Sequence, residues 1–189
     1  MNVRALIGMA LLAAASAAQA AFDIEQLMAD LAQHKGGRAR FVEKRYLAVL
    51  DKPVVASGEM TYSPPDRLEK HTLLPKPEIL VLDKDRLSLE RDRRKFTINL
   101  NSRPEVLAFV DSVRSTLSGN RQSLERNYAL QLKGQSQQWT LTLTPTEPAI
   151  TALLRRITVS GSYNQVRTIE YLQADGDRSE LQIEPLDAP

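Results

Sequence analysis

From residue 38 to residue 100, and again from 128 to 184, apolar side chains recur at every second position in short runs, each closed by turn residues. A period of two places alternate side chains on opposite faces of an extended strand. Short turns between such runs force neighbouring strands to pair antiparallel. The runs read as Arg38 to Leu50, Val54 to Tyr62, Arg67 to Leu74, a hairpin of Ile79 to Leu82 and Arg86 to Glu90 around Asp83-Lys84-Asp85, and Lys95 to Leu100. Phe96, Ile98 and Leu100 are expected on one face of the last. After residue 127, Tyr128, Leu130 and Leu132 alternate, as do Trp139, Leu141 and Leu143, with a polar turn from Gly134 to Gln138. Arg156 to Ser160 and Val166 to Gln173 form a further hairpin with Gly161 expected in its turn, and Glu180 to Glu184 ends the series. The chain is committed to a large antiparallel sheet.

Helical periodicity interrupts this pattern in a few places. Ile24, Leu27, Met28 and Leu31 share one helical face, Asp23 and Gln26 suit a capped start, Phe22 can staple against Leu27, and Gly36-Gly37 is the expected stop. Ser102 and Glu105 have capping-box spacing, with Pro104 in the first turn. Val106, Leu107, Phe109, Val110, Val113 and Leu117 then form a broad apolar stripe that Gly119 closes. Short helical turns are expected at 121–126 and around Ile150, Leu153 and Leu154.

The first twenty residues read differently. Arg4 precedes an apolar run from Ala5 to Ala15, and Ala18-Gln19-Ala20 has the small-x-small form of a signal-peptide cleavage site. That run is shorter than the roughly 20 apolar residues of a membrane span. The reading is an exported, periplasmic protein that starts at Ala21, with residues 21–189 as one domain. The whole chain carries a formal charge of +2, and Arg4 is the only charged residue of the leader. The basic clusters at Arg38–Arg45 and Arg91–Lys95 contain or adjoin acids, so no basic face for nucleic acid is expected. There is no cysteine, which removes disulfides, thiolate metal sites and a lipid anchor on the mature chain.

Residues that carry chemistry are sparse. The two histidines are His34, read as a solvated helix end, and His71, within a strand. No HExxH, Gly-x-Ser-x-Gly, Ser-x-x-Lys or phosphate-loop spacing occurs. Asp83 with Asp85, and Asp175 with Asp177, flank turns, where Asp caps its own backbone. The expectation is a binding protein with no cofactor, no metal and no catalytic residue. A sheet that curls under amphipathic helices can enclose an apolar cavity, with a helical cover as its gate. By periodicity alone the same residues also read as an ordinary packed core.

A resemblance favours the cavity. Phe41-Val42-Glu43-Lys44, then Ser57-Gly58-Glu59-Met60-Thr61-Tyr62 with Pro65 and Leu68, resemble in order the signature strands of the LolA family of periplasmic lipoprotein carriers. Ile79-Leu80-Val81-Leu82-Asp83 with Leu87, and the stretch from Ile157 to Ile183 with Gly176-Asp177-Arg178-Ser179, continue it across residues 22–185. The likeness is strongest to the LolA-related branch, which is also associated with export of other acyl or polyene products. It implies an α+β fold: an incomplete antiparallel β-barrel covered by lid helices, of the LolA and LolB kind.

The resemblance also implies a role: carrying the acyl chains of a lipoprotein or lipid toward the outer membrane, without catalysis. Partners would be an inner-membrane export complex and an outer-membrane acceptor, with the carrier itself monomeric. The acyl cavity and lid would be lined by Phe41, Met60, Tyr62, Leu68, Leu80, Leu82, Phe96, Phe109, Val110 and Val113. Two departures stand out. Pro64 occupies the place of an arginine thought to hold the family's lid closed, and Lys70 that of a tryptophan. The same fold could alternatively serve a sensor or adaptor that binds a protein, or a hydrolase that uses Asp and His71 at the cavity mouth.

Overall fold

The computed structural model describes residues 22–186. Its strands are β1 (Gly37–Tyr46), β2 (Val54–Ser63), β3 (Arg67–Leu74), β4 (Glu78–Asp83), β5 (Arg86–Arg91), β6 (Arg94–Asn99), β7 (Tyr128–Gln135), β8 (Gln138–Pro145), β9 (Leu154–Ser162), β10 (Gln165–Gln173) and β11 (Arg178–Pro185). All belong to one antiparallel sheet in the order β6-β5-β4-β3-β2-β1-β11-β10-β9-β8-β7. Two sequential meanders are thus joined by a single long-range pairing, β1 on β11, in which Phe41 lies opposite Ile183 and Glu43 opposite Leu181. Because β6 and β7 do not pair, the sheet stays open, an incomplete barrel in an α+β fold. The expected signal peptide lies outside the described residues.

The helices are α1 (Ile24–Ala32), α2 (Pro104–Leu117), α3 (Arg121–Glu125) and α4 (Pro148–Thr151). Together α2 and α3 connect β6 to β7, so the chain passes from one open edge of the sheet to the other through helix. The Asp23 side chain caps α1 by accepting from the Gln26 amide at 2.9 Å, and Leu27, Met28 and Leu31 are buried.

One continuous core fills one side of the half-barrel. Trp139, Leu141 and Leu143 of β8 pack with Ile157 and Val159 of β9, Phe41 of β1, Leu181 of β11 and the buried face of α1. The indole N–H of Trp139 donates to the Tyr163 carbonyl at 2.9 Å, which satisfies its one polar atom. A smaller cluster, Leu82, Leu100 and Val110, joins α2 to the β4 side.

Several local expectations shift. Gly161 is not in a turn: it sits inside β9, opposite Trp139 of β8 and Val166 of β10. A Cβ there would lie 2.4 Å from the Trp139 ring and 2.2 Å from the Gln165 carbonyl, so packing requires the glycine. The turn itself falls at Tyr163, whose φ is 52°. α1 ends at Gln33, before the expected glycines, and Gly36 instead leads into β1 at φ +84° against the Tyr62 carbonyl. β1 stops at Tyr46 because the Ala48 amide turns to the Asp177 carboxylate at 2.8 Å, taking residues 47–50 out of the ladder. Ser102 is not the N-cap of α2. Ser102 lies in a 3-10 turn and donates to the Asn99 carbonyl at 2.7 Å, and the N-cap is Arg103, with no side-chain cap. The Glu105 side chain lies outside the described structure. Leu100 is buried in that 3-10 turn, while Phe96 and Ile98 stay exposed on β6. Leu154 opens β9 and is not part of α4.

Candidate functional site

Between the inner face of the sheet and α2 lies a cavity of about 960 Å³. That is at the upper end of the range for small-molecule pockets, about 300–1,000 Å³. Its extent along β1 runs from Gly37 to Arg45, eight residue steps or roughly 26 Å at about 3.3 Å per residue. Strand alternation builds the wall. Met60 and Tyr62 of β2, Leu68 of β3, Leu80 and Leu82 of β4 and Leu87 of β5 line it, in rows set by the pairings Tyr62–Leu68–Leu82–Leu87. On the other side Ile169 and Tyr171 of β10 and Leu181 and Ile183 of β11 complete it. The cover is the apolar stripe of α2: Val106, Phe109, Val110, Val113 and Leu117. Phe109 contacts Tyr171 across the space with ring centroids 4.8 Å apart.

Of the residues expected from sequence, Met60, Tyr62, Leu68, Leu80, Leu82, Phe109, Val110 and Val113 line this one cavity. Phe41 does not. It is 2% exposed in the core, and its ring lies beneath the Lys70 ammonium at 4.7 Å. Phe96 also stays outside. It shares the inner face with Leu89, its partner on β5, but sits on edge strand β6 and is 58% exposed. The lining from β10 and β11 was missed, although Ile169 and Tyr171, like Leu181 and Ile183, carry the same two-residue period. Their place in the wall depends on the β1–β11 pairing, which sequence spacing does not specify.

The wall is not wholly apolar. Lys70 pairs with the Glu43 carboxylate, and the Ser179 hydroxyl donates to the other Glu43 oxygen at 2.9 Å. Burial opposes the charge on Glu43. The neighbouring Lys70, Ser179 and Arg45 outweigh burial and hold its pKa below the ordinary value of 4.5. Directly opposite Ser179 in the ladder is Tyr171, whose phenol burial pushes far above its usual range. Glu43, Lys70, Ser179 and Tyr171 all line the cavity.

Two contacts hold α2 down. Arg114 donates to the Lys84 carbonyl, in the β4–β5 turn, at 2.7 Å and also pairs with Asp111. From β7, the Tyr128 hydroxyl donates to the Ala108 carbonyl at 3.2 Å. Burial pushes the Tyr128 phenol up to about 12, so it keeps that proton at neutral pH.

His34 is half-buried at the cavity end and not solvated as expected. Its ring stacks near Tyr62, with centroids 6.5 Å apart, and its Nδ1 accepts from the Gly36 amide at 3.0 Å. Burial lowers its pKa, which keeps the ring neutral for that bond. His71 follows inward-facing Lys70 and therefore points to the outer face, where Glu69 lies 3.2 Å away. Of the turn aspartates only Asp175 makes the expected local bond, to the Asp177 amide. Asp83 pairs with Arg67, Asp85 accepts from Asn101 and Asp177 accepts from the Ala48 amide, all distant in sequence. Among the described residues no His, Asp and Glu cluster could hold a metal ion. Such a wall can accept apolar matter and presents it with a small polar patch.

Among solved structures, a LolA superfamily protein from Nitrosomonas europaea superposes with a TM-score of 0.44 at 8% identity, over 89% of this chain and 96% of that one. MucB in its complex with MucA, from Pseudomonas aeruginosa, gives 0.48 at 15% identity over 89% of this chain and 59% of that one. A domain from Vibrio parahaemolyticus named for outer membrane lipoprotein sorting gives 0.45 at 10% identity, over 85% and 88%. No curated protein matches the sequence. The profile of one family, described as outer membrane lipoprotein carrier protein LolA-like, matches residues 14–184, and the chain belongs to that family.

Proposed function

We propose that this protein is a periplasmic carrier that shelters the acyl chains of a lipoprotein or lipid in the cavity and moves them toward the outer membrane. The observation that carries this reading is the apolar-walled space of about 960 Å³ beneath α2. Ten methylene groups taken from water, at about 0.8 kcal/mol each, contribute on the order of 8 kcal/mol. That is enough to offset the ordering costs of binding a flexible chain. Family membership supports the same role, since the family is described by its carriers.

In this reading α2 is the lid. It links the two unpaired edges, is held by Arg114 on one side and Tyr128 on the other, and can release cargo without unravelling a strand. An inner-membrane export complex loads the carrier, and an outer-membrane acceptor empties it. Val49, Leu50, Leu73 and Leu74, exposed in or beside the β1–β2 and β3–β4 connections, offer apolar surface at one end of the sheet for such encounters. Met60, Tyr62, Leu68, Leu80 and Leu82 of the wall and Phe109, Val110 and Val113 of the cover contribute to desolvating the chain.

Titration of the purified protein with a fluorescent acyl ester tests the proposal. Saturable binding at one probe per chain, reversed by unlabelled acyl ester, is the expected result. A folded protein that takes up no probe would overturn it and turn attention to a protein partner.

A further inference from the structure

The polar patch in the cavity wall is the least expected feature of an acyl-binding surface. An ion pair held in a low-dielectric wall is often no more stabilising than apolar residues of equal volume, so structural support alone explains it poorly. Its hydrogen-bonding capacity is also only partly used. An ammonium has three donors. Lys70 gives one to Glu43 and rests over the Phe41 ring, and its remaining donors have no partner among the described residues. Tyr171 likewise lines the cavity, and its hydroxyl has no hydrogen-bond partner among the described residues. Ser179, which bonds Glu43, lies opposite Tyr171 in the β10–β11 ladder, so the two sets of donors border the same stretch of wall.

We propose that Lys70 and Tyr171 form a polar subsite that donates hydrogen bonds to the carbonyl oxygen of an esterified acyl chain, with Glu43 orienting Lys70. The inference rests on the acyl-carrier reading and adds a preference within it. Because Glu43 is already an anion on Lys70, a second carboxylate there would be repelled, whereas a neutral carbonyl accepts without that cost. The site therefore selects esterified chains, as in lipids and acylated proteins, over free fatty acids.

The test is displacement of a fluorescent acyl ester by methyl palmitate, palmitate and hexadecane, each presented from cyclodextrin, at neutral pH. A hydrogen bond to a charged donor corresponds to about ten-fold or more in affinity. Methyl palmitate is accordingly expected to bind about ten-fold tighter than either competitor. Tyr171→Phe, which removes only the hydroxyl, and the charge-balanced Glu43→Gln/Lys70→Met variant should each erase much of the margin over hexadecane. Glu43→Gln alone should raise palmitate affinity by about ten-fold, because it frees Lys70 for the ligand carboxylate. If the three competitors bind within about two-fold of one another in the wild type, or if Glu43→Gln weakens palmitate binding, the subsite is wrong while the carrier reading stands. If the wild type binds no probe at all, both fail.

Discussion

Arg114 of α2 donates to the main-chain carbonyl of Lys84, 2.7 Å away in the β4–β5 turn, and so fastens the helix over the cavity to the rim of the sheet. The position that the resemblance assigns to a lid-holding arginine is Pro64, which packs beside Gly36. Here the arginine comes from the helix, and the acceptor is a main-chain carbonyl of the sheet. Replacing Arg114 with Ala is expected to speed release of a bound fluorescent acyl ester by about ten-fold or more, since hydrogen bonds to charged groups are each worth roughly 1.5–3 kcal/mol. Stopped-flow displacement reads this directly. An unchanged off-rate would mean that Arg114 does not hold the lid.

Val113 faces the cavity from the same helix and packs beside the main core. Val113→Asp places an unpaired carboxylate against apolar walls, which costs several kcal/mol if it remains charged. Acyl affinity should fall by at least about ten-fold, while circular dichroism retains the β-rich spectrum. Equal affinity in a folded variant would remove α2 from the binding surface.

Acid should act through Glu43. Its native pKa lies below the ordinary 4.5, so the stabilisation by Lys70 and Ser179 is fully present above 4.5 and is lost as pH falls through the lower native value. Thermal melts of the wild type and of Glu43→Gln/Lys70→Met should differ by a constant amount from pH 7 to 5. Below about 4.5 the wild type should lose stability relative to the variant. Parallel curves down to pH 3 would show that the pair does not titrate with folding.

Gly161→Ala tests the strand assignment. A methyl group 2.4 Å from the Trp139 ring must displace the indole or the Gln165 backbone, and overpacking of this kind typically costs about 1–3 kcal/mol. Trp139 is the only tryptophan, so its fluorescence reports the change alongside the melting temperature. A wild-type melt and spectrum would place Gly161 away from the ring.

The strands and the apolar stripe of α2 were legible in the sequence because a period of two or of 3.6 is a local property. Met60, Tyr62, Leu68, Leu80 and Leu82 were legible as one apolar face, but alternation alone left them readable as packed core, and only the family resemblance pointed to a cavity wall. Three things were not legible. The β1–β11 pairing joins residues far apart in the chain, and it alone brings Ile169, Tyr171, Leu181 and Ile183 to the cavity. The fate of Phe41 and Phe96 depends on distance from the sheet edges, which alternation does not encode. The Glu43–Lys70 pair joins residues on different strands, each unremarkable as one charge among many in its own segment.

Carriage of acylated cargo in the cavity can be read directly. The most direct measurement is native mass spectrometry of the protein isolated without detergent from its own host, followed by lipid extraction. The expected result is a stoichiometric acylated species that leaves under mild activation and is extracted as an esterified lipid or lipopeptide. An empty protein that also failed to take up a fluorescent acyl ester in solution would contradict it.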